Sequence, residues 1–91
     1  MLNVGIIGAG TISQYHIQAF CKNANCNVVA IADINKALAE KRAKDNGIEK
    51  AYGDYREILN DKSIDAVSIV TPTFTHKNII VEALRSGKDV L

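Results

Sequence analysis

A glycine-rich segment near the amino terminus is the first part of the chain whose residue types could support chemistry. It has the sequence Gly8-Ala-Gly-Thr-Ile-Ser13 and directly follows Leu2–Ile7, an apolar run typical of a buried parallel strand. Gly8 permits a sharp turn, and Gly10 lets the backbone approach a phosphate without an intervening Cβ. The free amides of a helix that begins at Thr11 would face the same phosphate. This arrangement predicts a dinucleotide-binding turn.

An acidic residue at the end of the next apolar run completes the pattern. Asp33 follows Val28–Ala32, where a carboxylate accepts hydrogen bonds from the adenosine ribose hydroxyls and repels a 2′-phosphate. Ser13 replaces the usual third glycine and is small enough to keep helix and strand close. Because no arginine directly follows Asp33, NAD is the predicted cofactor, with NADP as the alternative given the nearby Lys36. The structural alternatives are a tight turn without a ligand and a strand-end or capping role for Asp33.

Apolar runs and helical spacings alternate along the chain and predict the elements that position these residues. The predicted strands are Leu2–Ile7, Val28–Ala32, Ala51-Tyr52, Ala66–Val70 and Lys88–Leu91. The predicted helices are Thr11–Lys22, Lys36–Asp45, a short one from Asp54 to Leu59, and one that buries Ile79, Ile80, Ala83 and Leu84 and ends at Gly87. The alternation predicts an α/β fold: a doubly wound parallel sheet covered by helices on both faces.

Several residues are expected to begin or end these helices, or to lie on a particular face of them. Asn35 is placed to cap the second helix, which Gly47 is placed to end in the left-handed conformation. Asp54 begins a sequence of capping-box form that precedes the third helix. His16 is expected to be a buried structural histidine on the first helix, and Arg42 is assigned with Lys44 and Lys50 to a solvated face.

The composition is that of one ordinary globular domain. The chain has 91 residues, 47% of them apolar, and a net charge of +1, which gives no electrostatic reason to expect nucleic acid or an anionic membrane as a partner. The longest apolar run, Val28–Ala32, is far too short to cross a bilayer. Cys21 and Cys26 are expected to be reduced thiols, without a metal. With no signal peptide recognised, we expect a cytoplasmic protein.

Three segments together are more specific than the glycine turn alone. With Val4-Gly-Ile-Ile-Gly-Ala-Gly10, Ala32-Asp33 and Thr71-Pro-Thr-Phe-Thr-His76 in place, the chain resembles the N-terminal domain of the Gfo/Idh/MocA oxidoreductases over essentially its whole length. The resemblance implies a Rossmann domain with strand order 3-2-1-4-5, joined in the family to a larger C-terminal domain. It also implies hydride transfer between NAD(P) and a polyol, inositol or sugar. Alternatives are a stand-alone NAD-sensing module and a relative of the biliverdin reductases.

The resemblance also implies which residues contact the cofactor. These are Gly8, Gly10, Thr11, Ile12, Asp33, Ile34, Thr71, Pro72, Thr73 and His76. Thr71 and Pro72 would lie beside the nicotinamide half, and His76 is expected to have a packing or cofactor-contact role and not to act as the acid/base.

No catalytic residue is expected within the chain. In the family, the strand that corresponds to Lys88–Leu91 is followed by a Glu-Lys-Pro segment with the catalytic lysine. We therefore expect residues 1–91 to be the cofactor-binding part of a longer dehydrogenase that acts on CH–OH groups, and to be inactive alone. Copies of the chain are expected to associate, since an apolar strand edge would be left uncovered.

Overall fold

Strands and helices alternate from one end of the chain to the other, as the sequence predicts. The computed structural model describes the backbone of residues 1–71 and 73–91 and the side chains of residues 1–71 and 77–91. The strands are β1 (Leu2–Ile7), β2 (Cys26–Ala32), β3 (Lys50–Tyr52), β4 (Ala66–Ile69) and β5 (Asp89–Val90). The helices are α1 (Thr11–Cys21), α2 (Lys36–Asn46), α3 (Tyr55–Leu59) and α4 (Thr73–Arg85).

The five strands form one parallel sheet in the order β3-β2-β1-β4-β5, which confirms the predicted topology. β1 lies at the centre and pairs with both β2 and β4, so the strand order reverses on either side of it. Open α/β sheets bind ligands at the carboxyl ends of the strands beside such a reversal. We therefore expect a binding site at the end of β1, where the glycine turn begins.

The core has two halves, one on each face of the sheet. Val4 and Ile6 of β1 point to the face that α1 and α2 cover, whereas Ile7 points to the face covered by α3 and α4. Side chains alternate between faces along a strand, so a strand buried on both faces is apolar at nearly every position. This explains why the strands appear in the sequence as continuous apolar runs, and it confirms the doubly wound arrangement.

The buried face of α1 differs from the expected one. Ser13 and Ile17 are the buried residues of this helix, whereas Ile12 is 66% exposed and His16 is also exposed. The expectation of a buried His16 was therefore wrong. α1 contacts the sheet through the fully buried Ser13, a small residue that allows the helix and the strand to lie close together. Residues four apart share a helix face, so Ile17 follows Ser13 into the core.

The helix ends largely follow the sequence signals. The Asn35 side chain accepts a hydrogen bond from the Leu38 amide at 3.2 Å, and Gly47 ends α2 with φ 68°. Asp54 caps α3, although its carboxylate accepts from the amide of Arg56 and not from the third position of a capping box. In α4, Leu84 is 60% exposed, which contradicts its predicted place in the buried stripe.

Two lysines make hydrogen bonds at the amino edge of the sheet, where the strands begin. Neither belongs to a solvated face. Lys88 was predicted to begin the last strand, but it precedes β5 and is only 7% exposed. Its Nζ donates to the carbonyl oxygens of Asp61 at 2.8 Å and Ile64 at 2.7 Å. Lys50 donates to the Asp61 carboxylate at 2.7 Å. The bonds to Lys50 and Ser63 hold the pKa of the Asp61 carboxyl well below its usual range.

Candidate functional site

The glycine turn connects β1 to α1 at the carboxyl edge of the sheet. Gly8 has φ 112°, and a Cβ at this position would lie 2.9 Å from the carbonyl carbon of Val70. The Gly8 amide donates to the carbonyl of Ala32 at 2.7 Å. Because neighbouring backbone contacts Gly8 on one side and binds it on the other, a larger residue would not fit here. The requirement for Gly8 is thus structural.

Neither the backbone conformation nor the packing requires a glycine at position 10. It has φ −68°, which any residue can adopt, and a Cβ built on it meets nothing within 4 Å. It is the N-cap of α1 but has no side chain to accept from the first helical amides. Ser13 donates from Oγ to the Gly10 carbonyl at 2.6 Å, which fixes the turn from the helix side. The space above Gly10 and the start of α1 therefore stays open to a ligand.

Asp33 joins this turn to the end of β2. One carboxylate oxygen, Oδ2, accepts from the Ala9 amide at 2.8 Å, and Oδ1 accepts from the Asn35 amide at 2.8 Å. The second bond makes Asp33 a strand-end acceptor, as the structural alternative anticipated. Each carboxylate oxygen has a further lone pair. The same side chain can therefore hold the turn and still accept from a ligand hydroxyl.

Arg42 also binds the turn, which the sequence-based assignment to a solvated face did not anticipate. It is half-buried, and its Nε donates to the carbonyl of Ala9 at 3.1 Å. The signal was present in α2, because Arg42 lies three residues after Ala39 and one before Ala43, both of which are buried. A long charged side chain beside the buried positions of a helix can extend toward the sheet and contact the turn at its edge.

A cavity of about 830 Å³ opens beside the turn at the same edge. It is lined by the ends of β1 and β2, by the segment before α3 and the first residues of that helix, by Thr71 after β4, and by the second turn of α4. The lining residues are Ile7, Ala32, Asp33, Ile34, Gly53, Asp54, Tyr55, Arg56, Thr71, Asn78 and Ile79. Asp33 belongs to both the cavity wall and the turn, so a single ligand could occupy both.

The wall contributed by α3 is held by a set of contacts that spacing alone could not predict. The Tyr55 hydroxyl donates to the Glu82 carboxylate, which also pairs with Arg56 at 3.4 Å. The Arg56 guanidinium lies 4.9 Å from the centre of the Tyr55 ring. These contacts join α3 to α4 and give the cavity a rim with both aromatic and charged groups. The capping signal at Asp54 located this segment in the sequence but did not indicate that it lines a site.

The predicted cofactor residues divide between described and undescribed parts of the chain. Gly8, Gly10, Thr11 and Ile12 form the turn and the first residues of α1, and Asp33, Ile34 and Thr71 line the cavity. Ile34 is 97% exposed, as expected of a residue at an open rim. Pro72 and the side chains of Thr73 and His76 lie outside the described residues. Their predicted contacts therefore stay predictions.

Comparison with known proteins identifies the family. The model of an oxidoreductase family with an NAD-binding Rossmann fold matches residues 2–91. The chain belongs to the Gfo/Idh/MocA family. Residues 2–91 have the NAD-binding Rossmann fold of these oxidoreductases, as the turn, the acidic residue and the strand order indicate.

Similar proteins of this family include named inositol dehydrogenases. The scyllo-inositol 2-dehydrogenase (NAD(+)) of Bacillus subtilis (strain 168) is 38% identical over 86 residues, which make up 93% of this chain and 25% of that protein. The inositol 2-dehydrogenase of Rhizobium meliloti (strain 1021) is 42% identical over 86 residues, which make up 94% of this chain and 26% of that protein. The chain thus spans about a quarter of the length of these relatives.

Solved structures of the family superpose closely. An NAD binding oxidoreductase from Klebsiella pneumoniae has a TM-score of 0.91 and 38% identity, and the match covers 98% of this chain and 26% of that one. A 3-ketoreductase from Actinomadura kijaniata in complex with NADP has a TM-score of 0.93 and 30% identity, over 99% of this chain and 29% of that one. These names fit the oxidoreductase interpretation and do not favour a sensing module or a biliverdin reductase.

Proposed function

We propose that the glycine turn and the adjacent cavity hold NAD, with the pyrophosphate at Gly10–Ile12 and the adenosine in the cavity. The position of Asp33 carries this proposal, because its carboxylate binds the turn and also lines the cavity. A ribose between the two would place its hydroxyls against that carboxylate. The pyrophosphate would then face the uncapped start of α1, where helix amides and dipole favour an anion.

The remaining predicted residues complete this placement. Ile34 would cover the adenosine from the exposed rim, and Thr71 would line the path from β4 toward the nicotinamide half. Pro72, Thr73 and His76 are proposed to continue that path at the start of α4. When bound, NAD supplies the hydride acceptor, and the domain's own residues bind and orient it.

Substitution of Gly10 tests the proposed ligand position without disturbing the fold. Gly10→Asp supplies a good N-cap to α1 but puts a negative charge where the pyrophosphate would lie. Gly10→Asn caps α1 in the same way without the charge and serves as the matched control. We expect both variants to unfold at or above the wild-type temperature. NAD affinity should fall about 100-fold for Gly10→Asp and about tenfold for Gly10→Asn, a difference of about 1.4 kcal/mol.

Titration calorimetry with NAD and with ADP-ribose measures these affinities, and circular dichroism monitors the fold. Wild-type affinity in the Gly10→Asp variant would place the pyrophosphate elsewhere and overturn the proposal. A loss of affinity accompanied by unfolding would show that Gly10 has a structural role and would also contradict it.

For the longer protein we propose hydride transfer between NAD and a polyol, inositol or sugar. The support is the set of dehydrogenase relatives, of which this chain corresponds to about a quarter. Residues 1–91 would then be the cofactor domain, with the acid/base lysine and the substrate residues outside it. We expect the chain with NAD and a panel of inositols and sugars to form no NADH above the blank. Protein-dependent NADH formation would show that catalytic groups lie within this domain.

The partners and location proposed for this domain follow from its surface and composition. β5 is one of the two edge strands of the sheet, which supports association between copies of the chain. Light scattering over a concentration series tests this, and a monomer throughout would contradict it. Among the described residues, no helix combines the length and apolar character needed to cross a bilayer. The net charge of +1 and the two free thiols support a cytoplasmic protein without a nucleic-acid partner.

A further inference from the structure

The backbone at Ala9 of the turn is held from two opposite sides by charged groups.

 
The Ala9 amide donates to the Asp33 carboxylate at 2.8 Å, and the Ala9 carbonyl accepts from Arg42 Nε at 3.1 Å. Asp33 follows β2 and Arg42 lies in α2, so neither belongs to the turn itself. The two bonds fix the peptide groups before and after Ala9, the residue between the two glycines.

Arg42 is itself anchored by the end of α2. The Asn46 side chain donates from Nδ2 to the Arg42 carbonyl at 2.8 Å. The same side chain exchanges two hydrogen bonds with Gln14 of α1, at 2.8 and 3.0 Å. These bonds connect α1, α2 and the turn into one network, with Arg42 as the member that reaches the turn. These bonds hold the backbone of α2 from which the Arg42 side chain extends to Ala9.

The orientation of one peptide group connects this network to the ligand. The carbonyl and the amide of a trans peptide point in opposite directions. When Arg42 draws the Ala9 carbonyl toward α2, the Gly10 amide of the same peptide is turned away from α2. Gly10 has open space where its Cβ would be, so a ligand can approach there. The guanidinium also keeps a permanent positive charge beside the turn.

We propose that Arg42 is a positioning residue for the cofactor pyrophosphate, acting through the peptide between Ala9 and Gly10. This inference rests on the proposed function, since it assumes that the pyrophosphate lies at the turn. Asp33 and Arg42 then have complementary roles. Asp33 holds the amide side of Ala9 and faces the ribose, whereas Arg42 holds the carbonyl side and sets the direction of the Gly10 amide.

The test compares Arg42→Met, which keeps an apolar stem but removes the donor and the charge, with the matched control Lys44→Met. Lys44 is an exposed cation on the same helix. We expect Arg42→Met to weaken the binding of NAD and ADP-ribose about fivefold to tenfold, the effect of one hydrogen bond from a charged donor. Adenosine, which lacks the pyrophosphate, should bind both variants as it binds the wild type. Titration calorimetry measures NAD and ADP-ribose, and ligand-observed NMR measures adenosine.

Two further measurements separate positioning from other effects. The ratio of wild-type to Arg42→Met affinity should persist in about 1 M salt, where the field of a distant charge is screened. The Gly10 amide resonance should shift in Arg42→Met and stay in place in Lys44→Met. An equal loss for adenosine would indicate general damage to the fold and overturn the assignment, as would disappearance of the effect in high salt.

The wild-type chain separates this inference from the proposed function. If the wild type binds neither NAD nor ADP-ribose, the proposed function itself fails. If the wild type binds both and Arg42→Met binds them equally well, only the assignment of Arg42 is overturned.

Discussion

Two edges of the same sheet use a cation that donates to backbone carbonyls, with different results. At the amino edge, Lys88 is 7% exposed and its Nζ donates to the carbonyls of Asp61 and Ile64. At the carboxyl edge, the half-buried Arg42 donates to the single carbonyl of Ala9. The first cation closes a loop over the end of the core. The second holds a turn whose outer side remains open.

The difference shows how a domain separates stability from binding. Around Lys88, the cation, the loop carbonyls and the nearby Asp61–Lys50 pair satisfy one another. Around the turn, Asp33 and Arg42 hold the backbone on the inside, while Gly10 leaves the start of α1 without a side-chain cap. A ligand can bind polar groups that the protein holds in a fixed orientation but does not fully satisfy with its own hydrogen bonds. We therefore expect changes at the two edges to affect different measurements.

The largest effect is expected from Lys88→Met, which removes the donor to two carbonyls at the amino edge. Buried acceptors that lose their partner are costly, so we expect a loss of about 2–4 kcal/mol in the free energy of unfolding. Lys62→Met, at an exposed position of the same loop, is the control and should change stability by less than about 0.5 kcal/mol. Urea denaturation measures both variants. NAD affinity, determined where the variant is folded, should equal that of the wild type.

An equal, small effect of Lys62→Met and Lys88→Met would show that the bonds of Lys88 contribute little. A loss of NAD affinity in folded Lys88→Met would break the proposed separation between the two edges.

A smaller effect is expected from Asp33→Asn at the carboxyl edge. Alanine would remove the acceptors for both the Ala9 and Asn35 amides, so asparagine is the better probe, because it keeps one oxygen and loses the charge. NAD affinity should fall by about 1 kcal/mol, or roughly fivefold, as charge-assisted ribose bonds weaken. Affinity for NADP relative to NAD should rise, because the charge that repels a 2′-phosphate is gone.

Calorimetry with both cofactors checks this expectation, and Asp45→Asn on the exposed side of α2 is the matched control. An unchanged ratio of NAD to NADP affinity would place Asp33 outside the adenosine site, even if the turn is perturbed.

The smallest effect is expected from acid, through Asp61. Its hydrogen bond from Lys50 holds the pKa of the folded-state carboxyl below the ordinary value of 3.8. The stabilisation is therefore complete above the ordinary pKa and is lost as the pH falls toward the lower folded-state pKa, since the unfolded chain takes up the proton first. Asp61→Asn should reduce the dependence of unfolding free energy on pH in the acid range. Urea denaturation across a pH series measures this, with Asp89→Asn, an exposed carboxylate at the same end of the sheet, for comparison.

An acid dependence as steep in Asp61→Asn as in the wild type would assign the effect to other carboxylates. Because Asp61 lies at the amino edge, NAD affinity should not follow this titration.

The sequence by itself determined the elements and their order. The strands β1, β2 and β4 each contain an apolar run of a few residues. Asn35 and Gly47 specify the ends of α2 through bonds and dihedral angles close to their own positions. The glycine turn was predicted in the same way, because Gly8 must adopt φ 112° between a strand and a helix that are adjacent in the chain. Such features depend on local periodicity and backbone conformation, which neighbouring residues decide.

Only the tertiary structure decided which polar groups meet. The Asp33–Ala9 bond joins residues 24 apart, and the Arg42–Ala9 bond joins residues 33 apart. The sequence pattern placed Arg42 on a solvated face and His16 in the core, and both predictions were wrong. For Arg42, the pattern could not show the distant carbonyl to which it donates. The side of a helix that meets the sheet depends on how closely the two elements approach, and here the small Ser13 sets that approach for α1. Packing between distant segments, which no local pattern contains, therefore determined how the turn is held.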